Sequence, residues 1–444
     1  MQLRIAREGQ ECKNACDQIA SPILRIREYV GTFGRLAAEL LNYHDLGIGP
    51  QTVRSHIANI DAELAHLEGL GDALFTGLPR EIFRPEIMQA CNSKKNLRYV
   101  AGAIMMTERF RDDLTPENRN RAISAKIAYE LLLDTLDDLI DRGSYGFADA
   151  LDLMRYALAP LTARTFEEEI FQDELRGRLA PEDRHLTDFL TAVVSATHRA
   201  IRTSPHGVEL AGEFERIHEN WTLGQACTMY QKEPTIDIRA FVTAASRFPA
   251  PAADVRGVER VSGWLSHTAA VTLLDLCFVD HLLSPEKMDE HLAAWFYLDA
   301  VPSYLDNIAD LSRDIDDGIA NLFLIARGGD AILDLRRVRG LRPKLAVADY
   351  ESFLERTAEF CRRGLVHAAA SHDGPDDFYP FIALMFPVVM FSDEHGVRED
   401  LLHAYLRCLD PAMRQARAGS AGAAITIPRG TRSGRSQSAR TASS

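Results

Sequence analysis

Apolar residues recur at intervals of three and four positions along most of this chain, and this spacing constrains its fold more than any other feature. Such spacing predicts amphipathic helices. The segments that carry it are 21–44, 51–76, 121–142, 186–203, 210–232, 258–283, 287–299, 302–327, 349–371 and 377–408. Helix-start signatures support two helix beginnings, at Thr115-Pro116-Glu117 and Ser284-Pro285-Glu286.

Signals for β-structure are scarce. We find no alternating run bounded by Asn-Gly or Asp-Gly turns, no strand–helix alternation and no fixed-period repeat. The length of 444 residues alone would suggest two or three domains. The uniform helical pattern instead predicts an all-α fold with one large helical domain over residues 1–417. Residues 418–444, rich in Gly, Ser and Arg with little to bury, are predicted to be disordered.

Composition excludes several classes of protein. The net charge of −14 disfavours a general nucleic-acid binder, because phosphate binding needs a basic face. The seven cysteines are scattered singly, which argues against a disulfide framework or a zinc cluster and fits a reducing cytoplasm. No apolar run approaches the ~20 residues that span a bilayer. We therefore expect a cytoplasmic protein without a membrane span; peripheral membrane contact and a homodimer are left open.

The stretch 303–323, "SYLDNIADLSRDIDDGIANLF", places carboxylates in an otherwise apolar helical pattern. At about 100° per residue, one helix face would carry Asp306, Asp310, Asp314, Asp317, Arg313 and Asn321. The apolar flanks predict a helix buried on most sides, where an unpaired carboxylate row is costly. A hard cation such as Mg²⁺ is the usual neutraliser for oxygen-only ligands.

A second carboxylate row lies about 170 residues upstream, in the stretch "AKIAYELLLDTLDDLIDRGSYG". Asp137 and Asp141 are again four residues apart, and Asp134 falls on the same side. If two such rows faced each other across a cavity, they could hold several Mg²⁺ ions and, through them, a diphosphate. The cavity walls would then be apolar and aromatic, to stabilise a carbocation.

A solvated face and an EF-hand loop fit the acidic rows less well than a metal site does. A solvated face is the simpler of the two, but it conflicts with the apolar flanks. An EF-hand loop starting at Asp310 fails, because it would need Gly and Glu where the chain has Ile315 and Asn321. The chain also lacks a GxSxG elbow, an HExxH motif, a Walker loop and a GxGxxG turn after a strand.

The two acidic motifs resemble those of class IB terpene synthases, the large-terpene group that includes tetraprenyl-β-curcumene synthase, in the isoprenoid synthase superfamily. Residues 135–142, "TLDDLIDR", resemble that group's "YLDNLCDR" motif, with Thr135 in place of Tyr and Asp138 in place of Asn. The second motif is similar to the pattern LDxxxDxxxDxxxGxxN. The residues that match it in register are Leu305, Asp306, Asp310, Asp314, Gly318 and Asn321. The resemblance covers about 30 residues directly.

This resemblance implies an α-helical barrel-like bundle with a central apolar cavity and both motifs at its mouth. Asp137 and Asp141 would bind Mg²⁺ from one wall, and Asp306, Asp310 and Asp314 from the other. The enzyme would be a carbon–oxygen lyase acting on phosphates. It would ionise a prenyl diphosphate, and the allylic cation would cyclise or lose a proton.

Further residues have expected places around such a cavity. Arg142, Arg313 and Lys232 could contact the diphosphate, although either arginine could equally pair with a neighbouring aspartate. The predicted substrate-pocket residues are Trp221, Gln225, Tyr230, Trp264, Tyr304 and Asn321. Lys126 could face the same cavity, whereas His267, alone on an apolar helix, is expected to be a core residue.

Two rival functions stay open. The pieces "DDLID" and "RDIDD" also resemble squalene/phytoene synthases, which join two prenyl diphosphates head to head, but the aspartates of their second motif are placed differently. The other rival is a non-enzymatic helical scaffold or regulator with acidic grooves.

Overall fold

The computed structural model describes residues 22–70, 101–141, 144–232, 243–317, 321–328, 347–372, 377–392 and 400–410. Across these ranges the chain is helical and contains no strand, so the predicted all-α fold is confirmed. Several predictions concern residues beyond these ranges, namely parts of helices 51–76 and 377–408, Arg142, Gly318 and the tail 418–444. The side chains of Tyr230, Lys232 and Asp317 are likewise not described.

The helices are α1 Pro22–Leu40, α2 Pro50–Leu70, α3 Pro116–Asp141, α4 Phe147–Leu158, α5 Glu168–Arg178, α6 Thr187–Thr203, α7 Ala211–Lys232, α8 Gly257–Leu265, α9 Thr268–Leu276, α10 Pro285–Ala309, α11 Leu311–Asp317, α12 Leu322–Gly328, α13 Glu351–Ser371 and α14 Phe378–Ser392. Residues 101–106 and 400–410 are also helical. Short 3₁₀ turns occur at Thr107–Phe110, Ala159–Leu161, Pro181–Leu186 and Val347–Tyr350.

The central element is α10, which is buried along most of its length. Its start follows the predicted signature: Pro285 occupies the first turn, and the Ser284 hydroxyl accepts a hydrogen bond from the Lys287 N–H at 3.4 Å. The helix packs along α13. A Cβ at Gly364 of α13 would lie 2.6 Å from Leu298 Cγ, so this close helix contact requires glycine.

Two predicted helix boundaries are wrong. Apolar spacing predicts 287–299 and 302–327 as separate segments, and proline disfavours a helix interior because it lacks an N–H. Instead, α10 runs through Pro302, which leaves the Leu298 carbonyl without its usual amide partner, and the helix ends at Ala309. The predicted helix 258–283 divides into α8 and α9 because Ser266 adopts an extended backbone (φ −82°, ψ 154°).

Pairwise contacts close the helices into a ring. α3 contacts α7 and α9; α7 contacts α8; α8 contacts α10; and α10 contacts α14. The helix α14 contacts α1 and α2, and α2 contacts the 3₁₀ turn Thr107–Phe110, which in turn contacts α3. The buried apolar residues of the described ranges form one core cluster that extends from Ile26 to Leu409. No helix in these ranges combines the length and apolar content that crossing a membrane requires.

Candidate functional site

The ring of helices encloses a cavity of about 410 Å³. Its walls come from α1, residues 101–106, α3, α7, the α8–α9 connection, α10, α11 and α14. All five aspartates predicted as metal ligands line it: Asp137, Asp141, Asp306, Asp310 and Asp314. Two acidic segments that lie far apart in the sequence therefore meet at one cavity.

The α3 wall carries a stripe of four acidic residues, Glu130, Asp134, Asp137 and Asp141. Their spacing of four, three and four residues puts them on one helix face. Glu130 and Asp134 are buried, Asp137 is half-buried and Asp141 is exposed, so the stripe runs from the interior to the mouth. Glu130 was not predicted, although its i,i+4 spacing to Asp134 was a usable signal.

The opposite wall keeps its three aspartates in helical register across the end of α10. The Asp310 N–H donates to the Asp306 carbonyl at 2.8 Å, and the Asp314 N–H donates to the Asp310 carbonyl at 2.9 Å. Asp306 is exposed, whereas Asp310 and Asp314 are both buried. The predicted shared face therefore holds for these three residues, although α10 and α11 are separate helices.

Asn321 supports this wall from behind and is not one of the residues that line the cavity. Its side-chain N–H groups donate to Asp314 Oδ2 at 2.7 Å and to the Asn307 carbonyl at 2.6 Å. Its own Oδ1 accepts from the Phe323 N–H at 3.0 Å and so caps α12. Asn321 thus positions Asp314, and Asn307, which was not predicted, lines the cavity instead.

Arg313 also lines the cavity and forms an ion pair with Asp310. Its side chain is 58% exposed, which leaves most of the guanidinium in solvent. The predicted local pairing is thus observed, while a contact between Arg313 and diphosphate stays a prediction. Arg142 lies outside the described residues, and so does the side chain of Lys232.

The predicted aromatic and polar pocket residues divide into two groups. Trp221 and Gln225 line the cavity. Trp264 instead donates its indole N–H to the Pro249 carbonyl at 2.9 Å, and Tyr304 stacks on Phe353 with ring centroids 4.8 Å apart. Both pack in the core away from the wall. Helical periodicity identifies an apolar face but not whether it meets a cavity or another helix.

His267, expected in the core, belongs to the cavity wall. It lies at the α8–α9 connection, and its Nε2 is 2.6 Å from Glu130 Oε2. Burial lowers the pKa of His267, but the carboxylates of Glu130, Asp299 and Asp134 outweigh this effect, so the pKa is raised. Asp299 is itself buried on α10, and burial raises its pKa to about 7.

Lys126, expected at the cavity, lies in the core instead. Its side chain is fully buried, forms an ion pair with Asp275 and donates to Thr107 Oγ1 at 2.9 Å. Burial lowers the pKa of Lys126, and it raises the pKa of Asp275 to about 6. This pair joins α3 to α9 and is structural.

The groups at the mouth that could bind a metal are oxygens, namely five carboxylates and the amide of Asn307, and the Arg313 guanidinium lies among them. This donor set fits Mg²⁺ better than a softer metal. Among the residues that the structure describes, however, no three His, Cys, Asp or Glu side chains are grouped as a ready metal site. An ion at this mouth would therefore need ligands beyond these side chains, such as water.

Fold and site together define an all-helical protein with an acid-lined cavity. Comparison with known proteins adds no relative: no family model matches the chain, and no curated protein or solved structure matches it either. The functional argument therefore rests on the chemistry of the cavity.

Proposed function

We propose that this chain is a Mg²⁺-dependent class I terpene synthase that converts a prenyl diphosphate to a hydrocarbon and releases diphosphate. One observation carries the proposal: aspartates from two distant segments line the same cavity. A solvated acidic face would not need this arrangement, and the burial of Asp310 and Asp314 argues against one.

The mouth would bind the charged end of the substrate. Asp137 and Asp141 would hold Mg²⁺ from α3, and Asp306, Asp310 and Asp314 would hold it from the other wall. Bound Mg²⁺ would neutralise the negative charge that develops on the leaving diphosphate. Asn321 keeps Asp314 oriented through its 2.7 Å hydrogen bond. Arg313 could turn from Asp310 towards a diphosphate oxygen, since most of its side chain is in solvent.

The interior would hold the prenyl chain. Its apolar wall includes Leu133, Val271, Phe386 and Val389, and none of these side chains carries a lone pair that could attack a carbocation. Excluding water from such a site prevents premature capture of the cation. The volume of about 410 Å³ lies within the range of ~300–1,000 Å³ that is usual for small-molecule sites.

A substrate screen tests the proposal. The protein is incubated with prenyl diphosphates from C10 to C35 and Mg²⁺, and the products are identified by mass spectrometry. A cyclised or eliminated hydrocarbon from a single substrate molecule supports a terpene synthase. A head-to-head dimer would instead indicate an enzyme of the squalene/phytoene synthase type. If no substrate is consumed and Mg²⁺ with diphosphate does not stabilise the fold, a non-enzymatic helical protein is favoured.

A further inference from the structure

The inner half of the cavity contains a histidine–carboxylate pair that the chemistry at the mouth does not use. Glu130 and His267 both line the cavity, with Nε2 and Oε2 2.6 Å apart. Glu130 is 3% exposed, and the His267 side chain is 16% exposed. A histidine–carboxylate pair that is buried and yet lines the cavity calls for a specific role.

Helix geometry separates this pair from the mouth. Glu130 precedes Asp137 by seven residues and Asp141 by eleven. At about 1.5 Å per residue, these offsets correspond to roughly 10 Å and 16 Å along α3. Glu130 therefore lies too far inside to share the diphosphate with the mouth. Its nearest cavity-lining neighbours on α3 are Leu133 and Asp134.

Neighbouring side chains hold the Glu130–His267 pair in place and influence the protonation of His267. Ser266 and Thr268, on either side of His267, join their hydroxyls at 2.9 Å and so brace the α8–α9 connection. Asp134 on α3 and Asp299 on α10 add to the effect of Glu130, and together they raise the pKa of His267 despite its burial. The raised pKa favours the protonated imidazole, whose Nε2–H donates to Glu130 Oε2.

A second observation, independent of the acidic residues, also points to a ligand in this cavity. Trp221 on α7 lines the wall and is 2% exposed, and its indole N–H has no hydrogen-bond partner among the described residues. A buried donor without an acceptor destabilises the fold. A bound molecule or water that offers an acceptor would recover this energy.

We propose that Glu130, held in place by His267, is the proton acceptor that ends the reaction in the cavity. This inference rests on the proposed function. A C–H bond next to the cationic carbon breaks, its electron pair becomes the new C=C bond, and the proton forms an O–H bond with a Glu130 oxygen. The carboxylic acid then returns the proton to water after the product leaves. The step needs no oxidant or reductant.

The main test replaces the base without removing the hydrogen-bonding side chain. Glu130→Gln keeps the length of the side chain but cannot accept the proton. The share of the main wild-type hydrocarbon should fall about tenfold or more, with alkenes from other cations or alcohols from water capture in its place. Glu130→Asp keeps a carboxylate and should restore part of the wild-type profile.

A matched control exists elsewhere in the fold. Glu290 and His367 form a comparable pair, with Oε2 and Nδ1 2.7 Å apart, and neither residue lines the cavity. Glu290→Gln should leave the product profile unchanged. Circular dichroism and thermal melts of each variant show whether it is folded. His267→Gln is a second variant, which should shift the profile in the same direction as Glu130→Gln.

A binding measurement adds a readout that does not depend on turnover. A tertiary amine with a prenyl chain is positively charged and mimics the cation without Mg²⁺ or diphosphate. By calorimetry, Glu130→Gln should weaken its binding about tenfold, and Glu290→Gln should not. Unchanged binding and an unchanged product profile in Glu130→Gln would overturn the acceptor role while the proposed function stands. If the wild type makes no product from any prenyl diphosphate, the proposed function fails and the acceptor role fails with it.

Discussion

The three aspartates at the end of α10 and in α11 occupy different environments although they lie one helical turn apart. Asp306 is exposed, Asp310 pairs with Arg313, and Asp314 is held by Asn321. Substituting these aspartates one at a time should therefore distinguish effects on metal binding from effects on stability. Asp306 is the best probe of metal binding, because its exposed side chain contributes least to packing.

Asp306→Ala should lower hydrocarbon formation by about 10²–10³-fold, the effect of losing one preorganised electrostatic contact to a developing charge. The melting temperature should change little. Product formation by mass spectrometry and helical content by circular dichroism provide the two readouts. Asp316→Ala is the control, since Asp316 is exposed on α11 and does not line the cavity. Full turnover by Asp306→Ala would contradict the metal assignment.

Asn321→Ala should destabilise the protein by about 1–2 kcal/mol, because it removes both the α12 cap and the donor to Asp314. Asn321→Ser keeps a capping oxygen but loses that donor. In urea unfolding, the wild type should be the most stable, followed by Asn321→Ser and then by Asn321→Ala. If Ser and Ala are equally destabilised, capping is not what Asn321 contributes to stability.

Asp299 should make stability depend on pH. Burial raises its pKa to about 7, well above the ordinary aspartate value of about 3.9. The folded state therefore binds more protons than the unfolded state between these values, and stability falls as the pH rises from about 4 to about 7. The raised pKa of His267, beside it, acts in the same direction.

Asp299→Asn should remove part of this dependence of stability on pH. The difference in free energy of unfolding between variant and wild type, from denaturant titrations at pH 4.5 to 8, should change across that window and level off above it. Asp289→Asn, at an exposed position of the same helix, should run parallel to the wild type. Parallel curves for both variants would show that Asp299 titrates normally.

At the scale of elements, apolar spacing predicted the long helices well and their interruptions poorly. The predicted segments 186–203 and 210–232 match α6 and α7 within one residue. The breaks before His267 and at Asp310 were missed, because the 3.6-residue period continues across them. The short helices α4 and α5 were not predicted, since 12 and 11 residues hold few repeats of the pattern.

The contact between α10 and α13 should tolerate no added side chain at Gly364. A Cβ there would lie 2.6 Å from Leu298 Cγ and 3.1 Å from the Ala294 carbonyl oxygen. Gly364→Ala should therefore destabilise the fold by about 1–3 kcal/mol, measured by urea unfolding. Gly177→Ala on α5 is the control, since a Cβ there meets nothing within 4 Å. It should be neutral or stabilise by about 0.5–1 kcal/mol.

At the scale of the whole molecule, local sequence patterns predicted the acidic residues but did not predict that they line one cavity. Two rows at i,i+4 spacing identified Asp137, Asp141 and the Asp306 segment. Nothing local in the sequence specified that segments so far apart face one cavity, and only the family resemblance implied it. The Glu130–His267 pair was missed for the same reason, because it joins α3 to a connection more than 130 residues away.

Mg²⁺ and inorganic diphosphate should stabilise the folded protein only when added together, because the mouth would hold the ion partly through phosphate oxygens. A ligand at 100 times its dissociation constant adds about 2.7 kcal/mol. Thermal melts with Mg²⁺, with diphosphate and with both test this. Asp137→Asn combined with Asp306→Asn should abolish the joint shift. An equal shift in this double variant would place the binding elsewhere.

Pro302 interrupts the backbone hydrogen bonding of α10 and so divides the helix into two halves. Before the proline, the helix is locked into α13 by the contact at Gly364. After it come Asp306 and, in continuous register, Asp310 and Asp314. Tyr304, just after the proline, stacks on Phe353 of α13, so both halves are anchored to the same helix. Helices bend most readily where a backbone hydrogen bond is missing, and in α10 that place is Pro302. Any movement of the three aspartates towards a ligand is therefore expected to begin with a bend of α10 at Pro302.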